Sequence, residues 1–369
     1  GQTVLPDDPD INPPFSPLQG PNFIITDETS TVNPANARGA YDDLNGQFLV
    51  VWEDSRNTDT DIYGQVLLPG GVRSGPNFAV MVTAGNQYDP AIAFDGYAQQ
   101  YLVAFTDLRN GDYWDIYGRV IDADGAINGA DFAISSNFGI RQRDPAIAFD
   151  PANQLFSVVW EHGDPDPDNI FGKFVMIRPA TYSNIFYTLL RPAAPCNDPA
   201  GCTVMGLAWD FAVSTEFNYQ QNPYIIHDNS EFLVVWDDLR SGDRKDIYGR
   251  SIGVTNASDL TPDLSSAEFP IVTTFDEESY PSLAYNPSLN ETLLPYRNYT
   301  PPTDIYDYII LSAGSISGVI TEADTTGLFS NAEVILRDSS EQQWSFFTDG
   351  DGYYEFSGLQ SGCYSLQVV

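Results

Sequence analysis

Carboxylates at fixed spacing are the first residues in this chain that could do chemistry. Asp89 and Asp144 each open the same heptapeptide, "DPAIAFD". Breaking a glycosidic bond takes one carboxyl as acid and another as base or nucleophile, so two inner-strand aspartates are natural candidates. Their flanks are identical, however, whereas a catalytic pair needs two different environments. On that ground the sequence favours a structural role and a non-enzymatic protein. The pairs Asp54/Arg56, Asp107/Arg109 and Asp238/Arg240 repeat in the same way. They are either glycan- or metal-contacting loops or an ion pair that fixes a turn, and an exposed pair of that kind adds little stability.

Other candidates are single. "TDGDG" places Asp349 and Asp351 two apart before a strand, an oxygen-rich turn that could take calcium and is also ordinary turn chemistry. Cys196 and Cys202 bracket the turn-rich "CNDPAGC" and are expected to form a disulfide, which leaves Cys363 over. The two histidines, His162 and His227, fall far from all three cysteines and have no partnering Ser or Cys motif. Three sequons, Asn256, Asn290 and Asn298, are candidate glycosylation sites in an exported protein.

Charge narrows the partners. The 369 residues carry 51 acidic and 16 basic side chains, a formal charge of −35, with only Lys173 and Lys245 as lysines. Such a surface repels nucleic acid and anionic lipid. It suits a soluble extracellular protein, a divalent-cation binder or a protein from a salty habitat, and the expectation is a secreted, extracellular or cell-surface protein. No apolar run approaches a membrane span.

The elements that must position these residues repeat. "FLVVW" or its like recurs at Phe48, Tyr101, Phe156 and Phe232, with a degenerate "TLLPY" at Thr292. "DIYG" or its like follows at Asp61, Asp115, Asn169, Asp246 and Asp304. Before them stand "DPAIAFD"-like segments, and between repeats "NFAV"-like ones such as those at Asn77 and Asp131. The period is about 54 residues, the range of four-stranded propeller blades. "AIAF" suits a crowded innermost strand, "FLVVW" a strand buried on both faces, and "NFAV" a short outer edge. The glycine of "DIYG" predicts a bulge or a close backbone approach. The expectation is an all-β, five-bladed β-propeller over residues 21–313, with an insertion near 183–207. "NFII" at Asn22 is expected to complete the last blade and close the ring.

The repeats resemble the "VVW-x-D-x-R…DIYG" repeats of secreted bacterial and archaeal β-propeller-like proteins. From Ser315 the chain is similar to the carboxypeptidase regulatory-like, transthyretin-like β-sandwich module of surface adhesins. That likeness rests on "SGVI", "NAEVIL", "TDGDGYYEFSGL" and "SGCYSLQV". It implies a C-terminal β-sandwich over residues 314–369, short of the last strand that such modules usually carry. The edge at Cys363–Val369 is then expected to be unpaired.

Residues 1–20 read as an extended Pro-rich tail. Taken with that edge, the expectation is a structural protein that self-associates, the tail of one subunit packing on a neighbour's sandwich in a surface filament or coat. The alternative is a secreted glycan-binding or glycan-degrading propeller protein.

Overall fold

The computed structural model describes residues 3–4, 18–19, 23–27, 34–111, 113–135, 140–163, 168–177, 204–207, 210–242, 244–256, 260–273, 276–287, 290–299, 304–311, 315–319, 331–338, 343–348, 350, 352–357 and 364–368. The chain divides into two compact units, Gly1–Ala212 with Val254–Pro262, and Val213–Gly253 with Asp263–Val369. Strands dominate both. A 3₁₀ turn at Pro69–Gly71 is the one helical element among the described residues.

In the first unit, β1 (Thr3–Val4) pairs antiparallel with β2 (Leu18–Gln19). Three repeat sheets follow. The first is β3 (Ala35–Asp42), β4 (Gln47–Asp54), β5 (Asp61–Leu68) and β6 (Val72–Met81), in that order. The second is β7 (Gln87–Asp95), β8 (Gln100–Asp107), β9 (Asp115–Asp122) and β10 (Ile127–Ser135). The third begins with β11 (Arg141–Asp150), β12 (Leu155–Gly163), β13 (Asn169–Ile177) and β14 (Val204–Leu207), and β15 (Phe211–Ser214) comes next in the chain. The inner strands β3, β7 and β11 lie side by side.

Alternation in "YLVAF" explains the stacking. Tyr101, Val103 and Phe105 join Leu49 and Val51 of the first sheet in one buried cluster. Leu102 and Ala104 join Phe156, Val158 and Trp160 of the third in another. Successive side chains point to opposite faces, so one strand serves two cores. Each "DIYG" glycine marks a close approach. A Cβ on Gly118 would sit 2.8 Å from the Phe132 ring, and one on Gly172 2.8 Å from that of Phe211.

The second unit holds β16 (Gln220–His227), β17 (Phe232–Asp238), most of β18 (Asp246–Asn256) and β20 (Phe269–Val272), whereas β19 (Thr261–Asp263) falls mostly in the first. The second unit also holds β21 (Glu278–Ser279), β22 (Ala284–Asn286), β23 (Glu291–Asn298) and β24 (Asp304–Leu311). β16, β17 and β18 pair in order, with β20 on β18. The next sheet pairs β23 with β24 on one side and with β21 and β22, two pieces of a broken inner strand, on the other. Toward the C-terminus, β25 (Ser315–Val319) pairs β28 (Tyr353–Ser357), and β26 (Glu333–Asp338) lies between β27 (Gln343–Phe347) and β29 (Tyr364–Val368). Val334, Leu336, Tyr354 and Phe356 bury one another there.

One expectation is corrected. Residues 23–27 do not complete the last repeat. They lie on the first, where Asp27 pairs with Arg73 and exchanges hydrogen bonds with Asn77, and Asn77 Nδ2 donates to the Ile25 carbonyl (3.1 Å). Phe23 fills the space over Gly71, whose φ of +78° admits no side chain easily. The described pieces of the N-terminal tail, β1 and β2, pair with each other. β29 is paired on one side only among the described residues.

Candidate functional site

The Asp-x-Arg pairs form a buried clasp. Asp54 is wholly buried and accepts from the Arg56 amide (2.9 Å), Arg56 Nη2 (2.7 Å) and Trp52 Nε1 (3.0 Å). Asp238 does the same with Arg240 and Trp236, and Asp107 with Arg109. Each guanidinium stacks 4.0 Å over the tyrosine of its own "DIYG", Tyr63, Tyr117 or Tyr248. Burial alone would raise the Asp54 carboxyl, but the bonds from Arg56 and Trp52 hold it below its usual range. The motif is therefore structural, as the repetition suggested. It is not an exposed pair, because its aspartates are excluded from water.

A second set of positions is more telling. Asn36, Asp89, Asp144, Asn222 and Tyr280 occupy equivalent places on the inner strands, and all have φ between 49° and 55°. The register slips at the first four of them, as a bulge requires. Asx residues tolerate this left-handed backbone, which accounts for the Asp and Asn there. A bulge also re-aims its residue, and here the amide turns toward the neighbouring sheet. The Asp89 amide donates to Glu53 Oε1 (2.7 Å), and that of Tyr280 to Asp237 Oδ1 (2.9 Å). The Asp144 amide reaches Thr106 Oγ1 at 3.3 Å. The acceptors are the residues that follow the aromatic end of "FLVVW". That position reads Glu53, Thr106, Glu161, Asp237 and Arg297 along the chain.

In the first unit these two rows meet as a line of carboxylates. Glu53 also accepts from Asn36 Nδ2 (2.7 Å), which reaches Asp89 Oδ1 as well (3.2 Å). Asp89 and Asp144 share a side-chain hydrogen bond, and Asp144 has another with Glu161. Arg143 bridges Glu161 (2.7 Å) and Asp168 (2.9 Å) and lies 3.5 Å from Asp144. Glu161 is buried, while Asp144 keeps 37 % of its side chain open. Partly buried Trp114 lies 5.9 Å from the Arg143 guanidinium.

Two carboxyls in direct hydrogen bond cannot both be ionised cheaply. Desolvation, then the charge of Asp89, push the Asp144 carboxyl up to about 7, against the pull of Arg143. Asp89 is raised too, by desolvation first and by Glu53 next. The pair thus keeps a proton where ordinary aspartates have lost theirs, beside carboxylates that are fixed by donors. Such a set can give a proton to a leaving group and accept one from water.

The sequence picked out Asp89 and Asp144 and dismissed them as identical. They are identical only in their own strands. Asp89 faces Glu53 and Asn36, and Asp144 faces Arg143 and Glu161. The row Glu53, Thr106, Glu161 was missed, although a varying letter inside a constant repeat was its visible sign. Asn298 is buried and donates to Asp276 (3.2 Å). Asn290 is exposed in a turn and accepts from the Tyr285 hydroxyl (2.7 Å). Cys196, Cys202, Cys363, Asp349, Asp351 and the side chain of Asn256 lie outside the described residues. Among the described residues no three His, Cys, Asp or Glu side chains are disposed to hold a metal ion, and no helix is long and apolar enough to cross a membrane.

No family model and no curated protein matches the chain. Solved structures are similar to it at low identity. An α-L-arabinofuranosidase of Fusarium graminearum in complex with arabinobiose is 14 % identical over 72 % of this chain and 72 % of that one (TM-score 0.44). An α-L-arabinofuranosidase from Lactobacillus brevis is 12 % identical over 81 % and 94 % (TM-score 0.40). An endo-arabinase from Bacteroides thetaiotaomicron is 12 % identical over 76 % and 92 % (TM-score 0.37). The expectation of a non-enzymatic structural subunit of a filament is corrected accordingly: these similar structures are glycan-degrading enzymes. Nothing among the described residues supports self-association. The inner-strand carboxylates, moreover, stand in unequal surroundings.

Proposed function

We propose that the chain acts on neutral glycans, and that the carboxylates of β7, β11, β4 and β12 carry acid–base hydrolysis. The observation that carries this reading is the placement of the Asp89 and Asp144 carboxyls against each other on adjacent inner strands, where burial and neighbouring charge raise both. Asp144, the open member, donates to the leaving oxygen. A hydrogen-bonded pair is closer than the roughly 5 Å or more between the two carboxyls of most glycosidases. The pair therefore works as one proton-holding unit, and Glu53 or Glu161 supplies the second carboxyl. Trp114 offers an aromatic face to a sugar ring. A charge of −35 disfavours polyanionic substrates, which leaves neutral polysaccharides.

The five repeats, read together, support a single five-bladed ring, and the buried cluster joining β26 to β28 supports a C-terminal sandwich. Both are part of this proposal.

The test is turnover of a panel of neutral polysaccharides, arabinan among them, by the full chain. Release of reducing ends should fall at least about 100-fold in Asp144→Asn, the usual size of a lost general acid, with the circular dichroism unchanged. Retention on a polysaccharide gel without turnover would leave the binding half of the reading and remove the hydrolytic half. Neither turnover nor retention overturns both.

A further inference from the structure

The fifth repeat breaks the pattern of the other four in the two positions that build the carboxylate row. Where the others place Asn or Asp at the bulge, it places Tyr280. Where they place Glu, Thr or Asp after the aromatic residue, it places Arg297. Tyrosine gains nothing from a left-handed backbone, yet Tyr280 has φ 55° and leaves 55 % of its surface open. Residues held in such conformations cluster at ligand sites. Arg297 is exposed, stacks on Tyr299 at 4.2 Å, and has no carboxylate within ion-pair distance among the side chains that are described, which do not include those of β24. Among the described side chains it is a cation with no ion-pair partner, in a chain with about three acids for every base.

These two side chains line one recess. It has a volume of about 440 Å³ and is completed by Ser282, Pro295 and Tyr296. The size suits one or two sugar rings. The amide of Ser282 is tied to the Pro295 carbonyl (3.0 Å), so the floor is fixed by backbone pairing. Asp237 lies under Tyr280 and accepts its amide. Burial, outweighing Lys245 and Asn222, lifts Asp237 to about 7, so below that pH it adds little negative charge beneath the recess.

We propose that the recess between Tyr280 and Arg297 binds a carboxylate-bearing sugar. The ring stacks on Tyr280, and the carboxylate takes a forked pair of hydrogen bonds from the Arg297 guanidinium. A single uronate unit at the end or branch of a neutral glycan meets both groups. A polyanion meets the repulsion of the whole surface. The site lies wholly within the second unit and does not depend on the chemistry proposed for the first.

The experiment is binding of methyl β-glucuronide to the full chain at pH 6, followed by calorimetry or ligand-observed NMR. Methyl β-glucoside and acetate serve as the neutral-ring and bare-carboxylate controls. The glucuronide should bind at least about tenfold tighter than either control, since a charge-assisted forked contact is worth that much. Arg297→Gln should erase the preference for the charged sugar. Tyr280→Asn, which restores the residue type of the other bulges, should fold at least as stably and bind about tenfold more weakly. Equal binding of the glucoside, equal binding of acetate, an unaffected Arg297→Gln variant, or no glucuronide binding would each overturn the proposal. So would tighter binding of an acidic peptide at the same residues.

Discussion

The proton on the Asp89–Asp144 pair can be tested without a substrate. With Asp144 lifted to about 7 from the ordinary aspartate value of about 3.9, roughly 90 % of it stays protonated at pH 6. An unperturbed aspartate would be under about 1 % protonated there. Carboxyl carbon shifts recorded by NMR from pH 3 to 9 should show two aspartates titrating near pH 7, Asp144 and Asp237, and Asp144→Asn should remove one of the two. The two causes predict opposite responses. Asp89→Asn removes the neighbouring charge and should bring the titration of Asp144 down. Arg143→Met removes the countervailing cation and should push it up. The folded value is raised above the unfolded one, so the native state binds the extra proton. Stability from this group is full below the ordinary aspartate range and is lost as pH rises through about 7. The same titration should form the alkaline limb of the hydrolytic rate profile. If the signal that Asp144→Asn removes titrates below pH 5, the shared proton does not exist and the acid assigned to Asp144 goes with it.

Two further outcomes test the packing. Asp54→Ala strips the acceptor from Trp52 Nε1 and from the Arg56 amide and guanidinium inside a buried clasp. It should cost about 3 kcal/mol in urea unfolding followed by tryptophan fluorescence, and a loss under about 1 kcal/mol would mark it as an ordinary surface pair. Gly118→Ala puts a methyl 2.8 Å from Phe132 and 3.0 Å from Ile134, whereas the nearest atoms at Gly64 are 3.1 Å away. The first should destabilise by about 1–3 kcal/mol and more than Gly64→Ala, and the reverse order in thermal melts would refute that placement of the outer-strand phenylalanines.

What the sequence determined by itself was the repeating unit and its strand order. Period-2 alternation, turn residues and the double-sided apolarity of "FLVVW" are local properties, and a strand's partners in its own sheet follow from them. The "DIYG" glycine was legible for the same reason, because it answers to the aromatic residue of the next strand. Tertiary structure decided the rest. Residues 23–27 went to the first repeat because Arg73, Asn77 and Gly71 offer them hydrogen bonds and space, and nothing in "NFII" itself encodes that choice. Asp89 and Asp144 are the same letter in the same motif, and their proton affinities are set by Glu53, Glu161 and Arg143, which arrive from other strands. A carboxyl's charge state depends on the fields and solvent around it, and a repeat fixes its backbone while leaving those surroundings to whichever side chains the neighbouring sheets bring.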